Sequence, residues 1–163
     1  FPFENWQESR FSQGKFGVWY GASDVRTTVY ETVYHWLRRT RIEEGQLPTG
    51  RELQRKVYTV HVDALLLDLR SLATAHPALI ALKDYTLTQQ MGQVIHKQGH
   101  PGLLTRSARC KGDVQAIFNA AVLSDARINC WLRYQIQQDT VLVLGAGDKK
   151  VASIPVAEFE SGL

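Results

Sequence analysis

The sequence contains few of the residues that form disulfides or bind metals. Its two cysteines, Cys110 and Cys130, are too few and lack the spacing of metal ligands. We interpret them as reduced, buried or half-buried thiols. His96 and His100 are four residues apart, but Gly99 breaks the helix between them, so we expect no metal site. The motifs GxSxG, HExxH and paired CxxC are absent, which argues against the enzyme classes that they mark.

Long apolar segments are also missing. No apolar run approaches the roughly 20 residues that cross a bilayer, and the chain does not open on a secretory signal. We therefore expect a cytoplasmic protein without a membrane partner. The chain begins with Phe1 rather than Met, so we expect part of the natural start to lie upstream.

The composition is that of an ordinary globular protein. The chain has 163 residues, of which 44% are hydrophobic and 21% are charged, and this predicts one domain spanning residues 1–163. The net charge of +3 permits an anionic substrate but does not argue for direct nucleic-acid binding. GAGDKK at residues 145–150 matches neither a dinucleotide fingerprint nor a phosphate loop, and we predict a turn.

The most informative stretch lies between Arg10 and Glu31. The apolar run Phe16–Ala22 has the alternation of a strand. Ser23 and Asp24 then resemble helix N-cap residues. We predict a helix from Asp24 to about Arg39, with a buried stripe formed by Val25, Val29, Val33 and Leu37.

The rest of the chain alternates short strands and helices. We predict a helix over Thr86–Lys97, stopped by Gly99 and Pro101, and an exposed connection over Arg38–Lys56 that leaves room for a short helix. The predicted strands are Val57–Val62, Ile128–Ile136, Thr140–Leu144 and Val151–Ile154, with a hairpin turn around Gln138 and Asp139; Gly102–Thr105 is predicted as an apolar bridge. Together these elements predict an α+β fold with a mixed central sheet flanked by helices.

Three residues of the first stretch can meet at one cleft. Tyr20 lies near the end of the predicted strand, Glu31 two turns into the helix, and Arg10 on the loop before both. Such a set suits a cationic nucleotide substrate. His35, one turn after Glu31, joins it as a candidate. The alternative for each is plain: helical glutamates and loop arginines are mostly solvated, and a tyrosine on a strand packs in a core.

Two basic segments add to the set. Ser107 lies between Arg106 and Arg109 after a Gly-containing break, which makes its loop favourable for an anion. The residues 38–56, with RRTR and GRELQRK, form a basic surface that solvent usually covers, or that an acidic partner protein binds.

These motifs resemble a known family. RFSQGKFGVWYGASDVRTTVYE at residues 10–31, followed by HPGLLTRSAR at residues 100–109, is similar to the RES domain. The matching positions are Arg10, Tyr20, Glu31 and Ser107. The resemblance implies an ADP-ribosyltransferase-like fold. The chain departs from the family in reading RFS where glycine-arginine-tryptophan is common.

The resemblance also implies an activity. RES domains are often toxins of toxin–antitoxin pairs that degrade NAD+, so we expect cleavage of the nicotinamide–ribose bond by phosphorolysis or hydrolysis. Glu31, Arg10 and Ser107 are the expected catalytic residues, and Tyr20, Arg109 and His35 are the expected substrate-binding residues. We expect no metal and no cofactor, with NAD+ as substrate and inorganic phosphate as a candidate co-substrate.

Partners and alternatives remain open at this point. The resemblance implies a cognate antitoxin that blocks the active site, and it leaves a homodimer open. The same site could transfer ADP-ribose to a protein or nucleic acid. A different class of function is a non-catalytic interaction module that binds through residues 38–56.

Overall fold

The computed structural model describes residues 2–163, so Phe1 lies outside the described residues. The chain divides into two compact units, Phe1–Thr28 with His61–Ser124 and Val29–Val60 with Asp125–Leu163. Within residues 2–163 the helices are α1 (Val25–Glu44) and α2 (Thr86–Lys97), and the strands are β1 (Glu8–Ser9), β2 (Ser12–Gln13), β3 (Trp19–Ala22), β4 (Glu52–Val62), β5 (Leu67–Asp68), β6 (Gly102–Arg106), β7 (Asp113–Ile117), β8 (Leu123–Gln137), β9 (Thr140–Leu144) and β10 (Lys150–Pro155). The predicted α+β class is confirmed, with the strands shared between two four-stranded sheets and a β1–β2 hairpin rather than gathered in one central sheet.

The first unit is built on a mixed sheet. Its strand order is β3–β7–β6–β5, in which β5 and β6 are parallel and the β3–β7 and β6–β7 pairs are antiparallel. One buried cluster fills this unit and consists of Phe11, Phe16, Leu69, Ile95, Leu103, Ala116 and Phe118. The loop between β6 and β7 carries the predicted serine motif.

Helix α2 has the predicted bounds, Thr86–Lys97. At its start the Thr86 N–H donates to Asp84 Oδ1 at 2.9 Å, which satisfies one of the free N–H groups of the first turn. At its end Gly99 adopts a φ of 79°, a left-handed conformation that glycine accepts without a steric penalty. The predicted stop signals therefore act as expected.

Helix α1 begins as predicted and runs further. The Thr27 N–H donates to Asp24 Oδ1 at 2.7 Å, so Asp24 caps the helix. Val29, Val33 and Leu37 of the predicted stripe are buried, whereas Val25 is 37% exposed. The helix ends at Glu44 rather than near Arg39.

The connection predicted over Arg38–Lys56 is therefore shorter than expected, and the short helix that the prediction allowed within it is the last part of α1. Its first part continues α1, where Arg39 and Glu43 form an i,i+4 ion pair at 3.9 Å. Its last part opens β4 at Glu52, so the connection shrinks to residues 45–51.

The second unit is built on a sheet of strand order β10–β9–β8–β4, in which β8–β9 and β9–β10 are antiparallel. The predicted hairpin is confirmed, and Gln138 in its turn adopts a φ of 51°. Strand β8 is longer than predicted, and β10 contains the predicted last strand. The buried side chains of this sheet are Val57, Leu132, Tyr134, Ile136, Val141, Val143, Leu144 and Ile154.

Three further expectations meet the structure with different results. The first predicted strand begins at Trp19 rather than Phe16. The predicted bridge Gly102–Thr105 is strand β6, and a Cβ on Gly102 would overlap the Ala116 carbonyl oxygen of the neighbouring strand. The turn predicted at residues 145–150 is confirmed by positive φ angles at Gly147 and Asp148. Over residues 2–163, no helix combines the length and apolarity that crossing a membrane demands.

Candidate active site

Arg10 lies in the turn between β1 and β2, and helix α2 holds this hairpin in place. Gln89 Nε2 donates to Glu8 Oε1 at 3.0 Å and to the Ser9 carbonyl oxygen at 3.1 Å. Gly92 faces the hairpin backbone so closely that a Cβ would overlap the Phe11 carbonyl oxygen. The position of Arg10 therefore depends on a close helix–hairpin contact that only glycine permits.

The guanidinium of Arg10 is half-buried and fixed from two sides. Its Nη1 donates to the Ala81 carbonyl oxygen at 2.9 Å and lies 3.4 Å from that of Leu79. Its Cζ lies 4.7 Å from the centre of the Tyr85 ring, within the range of a cation–π interaction. These contacts orient the side chain before any ligand arrives.

The serine loop folds around the Ser107 hydroxyl. Ser107 Oγ accepts the backbone N–H of Arg109 at 3.0 Å and that of Cys110 at 3.3 Å. The Ser107 N–H donates to the Gly112 carbonyl oxygen at 2.8 Å and closes the loop. Ser107 and Arg109 are both buried, at 7% and 8% exposure. In this structure the serine shapes the loop that carries Arg109.

Arg109 reaches the same tyrosine as Arg10. Its Nη2 donates to the Leu82 carbonyl oxygen at 3.0 Å and to the Tyr85 hydroxyl at 3.2 Å. Tyr85 thus contacts one arginine through its ring and the other through its hydroxyl. Sequence reasoning missed this residue, since its only signal is an aromatic side chain beside the start of a helix.

Tyr20 lies on β3 next to the hairpin that carries Arg10. Its hydroxyl accepts the Phe11 N–H at 3.1 Å and donates to Ser9 Oγ at 3.0 Å. Burial of the hydroxyl raises the pKa of Tyr20 to about 12, although 37% of the residue surface is exposed. The phenol is therefore neutral near pH 7, which suits stacking or hydrogen bonding and not proton abstraction.

An ion-pair network closes the neck of the serine loop. Asp113, the first residue of β7, accepts from Arg106, the last residue of β6, at 2.8 Å and from Arg70 at 2.8 Å. Arg70 also contacts Asp68 at 2.7 Å. Hydrogen bonds from Arg70 lower the pKa of Asp68 to about 2, and the same arginine lowers the pKa of Asp113.

The other two predicted residues lie on α1 in the second unit. Glu31 is half-buried and His35 is exposed. Tyr34 between them is buried, donates its hydroxyl to the Gly162 carbonyl oxygen at 2.7 Å, and contacts the His35 ring at a centroid distance of 5.2 Å. Tyr34 is thus a core residue rather than part of a cleft. The roles of Glu31 and His35 remain predictions.

The histidines and cysteines form no metal cluster in the described part of the chain. Among residues 2–163, no group of three or more His, Cys, Asp or Glu residues is placed to hold a metal ion. His96 instead stacks on Phe16 at a centroid distance of 4.1 Å. Cys110 and Cys130 are free and half-buried.

The first unit therefore contains four of the six predicted residues, namely Arg10, Tyr20, Ser107 and Arg109, and two of them, Arg10 and Arg109, contact Tyr85. These features define an α+β protein with an arginine-rich site built from a hairpin, a strand and a serine loop. A family model, the RES domain, matches residues 2–138 of the 163-residue chain. The chain belongs to the RES domain family. No curated protein matches the sequence closely enough to count as a relative.

Proposed function

We propose that this protein cleaves the nicotinamide–ribose bond of NAD+, by phosphorolysis or by hydrolysis. The observation that carries the proposal is the pair of arginines, Arg10 and Arg109, that converge on Tyr85 in a chain of the RES domain family. Guanidinium groups bind phosphates through paired, charge-assisted hydrogen bonds, so two of them suit the pyrophosphate of a dinucleotide.

The reaction needs a carboxylate near the ribose. Nicotinamide leaves as a neutral molecule from a positively charged precursor, and positive charge builds on the sugar carbon in the transition state, as in glycoside hydrolysis. A carboxylate beside that carbon stabilises the transition state more than the ground state. We assign this role to Glu31.

The remaining residues bind and orient the substrate. Arg10 holds the pyrophosphate, and the neutral ring of Tyr20 stacks on nicotinamide. Ser107 orients the nicotinamide ribose or amide and shapes the loop of Arg109, which holds phosphate, including an attacking inorganic phosphate. His35 assists Glu31 on the same helix. The protein needs no metal and no cofactor in this scheme.

The biological role that fits this chemistry is that of a toxin in the cytoplasm. Loss of NAD+ stops the cell, so such an enzyme needs a partner protein that blocks its active site until it is released. We therefore propose a cognate antitoxin as a partner of this chain.

The test is NAD+ consumption by the purified protein with and without inorganic phosphate, with products identified by mass. Phosphorolysis forms a bond from phosphate oxygen to the ribose carbon and yields ADP-ribose phosphate and nicotinamide. Hydrolysis yields ADP-ribose and nicotinamide. Turnover that depends on phosphate selects the first reaction, and turnover without it selects the second.

Glu31→Gln separates the chemical role of the carboxylate from its shape. We expect NAD+ turnover to fall by about 100-fold or more, because removing one transition-state charge contact typically costs that much. The matched control is Glu43→Gln, an exposed glutamate on the same helix, which should retain turnover. Equal turnover in Glu31→Gln and the parent protein would refute the assignment.

Two other outcomes would replace the proposal. Labelled NAD+ that leaves its ADP-ribose on a protein or nucleic acid indicates a transferase. A protein that neither binds nor consumes NAD+ indicates the non-catalytic module, which would use the basic surface within residues 38–56.

A further inference from the structure

Both arginines of the site are held by one short segment, Leu79–Tyr85. Main-chain carbonyl oxygens of this segment accept from Arg10 and Arg109, and Tyr85 ends it. The arginines come from two elements that are far apart in the sequence, one from the β1–β2 hairpin and one from the serine loop. The segment is therefore the element through which the two cations keep a fixed spacing.

Tyr85 makes two chemically different contacts within this segment. Its ring lies against the Arg10 guanidinium, and its hydroxyl accepts from Arg109 Nη2 at 3.2 Å. A phenylalanine would keep the first contact and lose the second, and an aliphatic side chain would lose both.

Helix α2 anchors the tyrosine. Asp84 accepts the Thr86 N–H at 2.9 Å, and the Tyr85 carbonyl oxygen accepts the Gln89 N–H at 2.8 Å in the first helical turn. The same Gln89 holds the hairpin of Arg10 through its side chain. Tyr85 and the hairpin of Arg10 are thus both hydrogen-bonded to Gln89 of α2, which limits the movement of one relative to the other.

We propose that Tyr85 is a positioning residue that sets Arg10 and Arg109 at the spacing of a pyrophosphate group, so that it controls dinucleotide affinity. This inference rests on the proposed function for its substrate. A guanidinium that is already oriented loses less freedom when it binds an anion, so the effect is on binding. Tyr85 does not touch the reacting bond in this assignment, and the chemical step is left to Glu31.

The experiment measures KM and kcat for NAD+ together with the Kd for inorganic pyrophosphate by titration calorimetry. Tyr85→Phe should raise KM and Kd by about 2- to 12-fold, the loss of one hydrogen bond, with kcat changed less than about twofold. Tyr85→Leu should raise them further, because the cation–π contact is lost as well. Tyr58, an exposed tyrosine on β4 in the second unit, supplies the matched controls Tyr58→Phe and Tyr58→Leu, which should match the parent.

A merely structural role predicts a different pattern. It would lower the folded fraction and hence kcat, and it would leave KM and Kd unchanged in the molecules that fold. If Tyr85→Leu does not fold, Tyr85→Phe carries the test, because it keeps the ring and its packing. Unchanged KM and Kd in a folded Tyr85→Phe or Tyr85→Leu protein, or a parent protein that binds no pyrophosphate, would overturn the inference.

The outcomes for the two proposals are distinguishable. Pyrophosphate binding that depends on Tyr85, in a protein that does not consume NAD+, supports the positioning role and refutes the proposed reaction. NAD+ consumption with a KM that is indifferent to Tyr85 does the reverse.

Discussion

Two pairs of arginines in the first unit are held by opposite kinds of partner. Arg70 and Arg106 donate to carboxylates at 2.7–2.8 Å, and their side chains are 37% and 54% exposed. Arg10 and Arg109 donate to carbonyl oxygens and to a tyrosine, and Arg109 is 8% exposed. The first pair, through Asp68 and Asp113, joins the ends of three strands, β5, β6 and β7, whereas both arginines of the second pair contact Tyr85.

The difference separates two uses of one residue type. An aspartate contact neutralises the guanidinium, and at an exposed site such a pair contributes little stability. A carbonyl or tyrosine contact orients the guanidinium without cancelling its charge. The carbonyl and tyrosine contacts of Arg10 and Arg109 fix the direction of each guanidinium, and a guanidinium that is already oriented loses less freedom when it binds an anion.

Removing one arginine from each pair tests whether only the pair that contacts Tyr85 contributes to activity. We expect Arg10→Ala to lower kcat/KM for NAD+ by about 10- to 150-fold, the loss of charged hydrogen bonds to the substrate. Arg70→Ala should lower it by no more than about threefold. Steady-state kinetics measures kcat/KM for both variants. An equal loss of kcat/KM would show that the kind of partner does not distinguish an arginine that binds substrate from one that does not.

A second variant tests the support of Arg10 alone. Gly92→Ala forces a methyl group against the Phe11 backbone, and overpacking of this kind costs about 1–3 kcal/mol. We expect Tm to fall by about 2–10 °C in calorimetry and KM for NAD+ to rise, because the hairpin that carries Arg10 must shift. Gln90→Ala, an exposed position on the same helix, is the control. A Gly92→Ala protein with the parent Tm would show that the helix–hairpin contact relaxes without cost.

The smallest effect concerns the carboxylate-bound pair and its pH dependence. The pKa of Asp68 is lowered to about 2 and that of Asp113 is lowered as well, so their stabilising contribution is present above the unfolded pKa near 4 and is lost as pH falls toward 2. Asp113→Asn should therefore lower Tm by about 1–3 °C at pH 7.

The difference between the parent and Asp113→Asn should shrink below about pH 4, where the Asp113 carboxylate of the unfolded state gains its proton while that of the folded state still holds its charge. Thermal unfolding at pH 7, 4 and 3 measures it. A constant difference across this range would mean that the ion pairs do not supply the stability.

Local signals predicted the elements whose ends are set locally. Helix α2 stops where Gly99 adopts a left-handed conformation, and α1 starts where Asp24 caps it. The extension of α1 to Glu44 was missed because a charged segment resembles a loop until its i,i+4 pairs are counted. Strand β6 was missed because its partner β7 lies beyond the serine loop.

The site was predictable only in part. Motif spacing and the family resemblance predicted six residues, of which Arg10, Tyr20, Ser107 and Arg109 lie in the first unit and Glu31 and His35 in the second. Tyr85 was not predictable, because contacts that join a hairpin, a helix start and a later loop leave no local pattern. Ser107 was predicted to contact substrate, and the structure adds that it folds its own loop.

The segment from Leu79 to Tyr85 grips its arginines mainly through peptide carbonyl groups. Every amino acid carries the same carbonyl group, so substitutions at Ala81 and Leu82 that preserve the backbone should leave these contacts with the arginines intact. Leu79 differs, because its side chain is 2% exposed and a smaller or polar residue there would cost stability. A saturation library over the segment should therefore tolerate many residues at positions 81 and 82 and few at Leu79 and Tyr85.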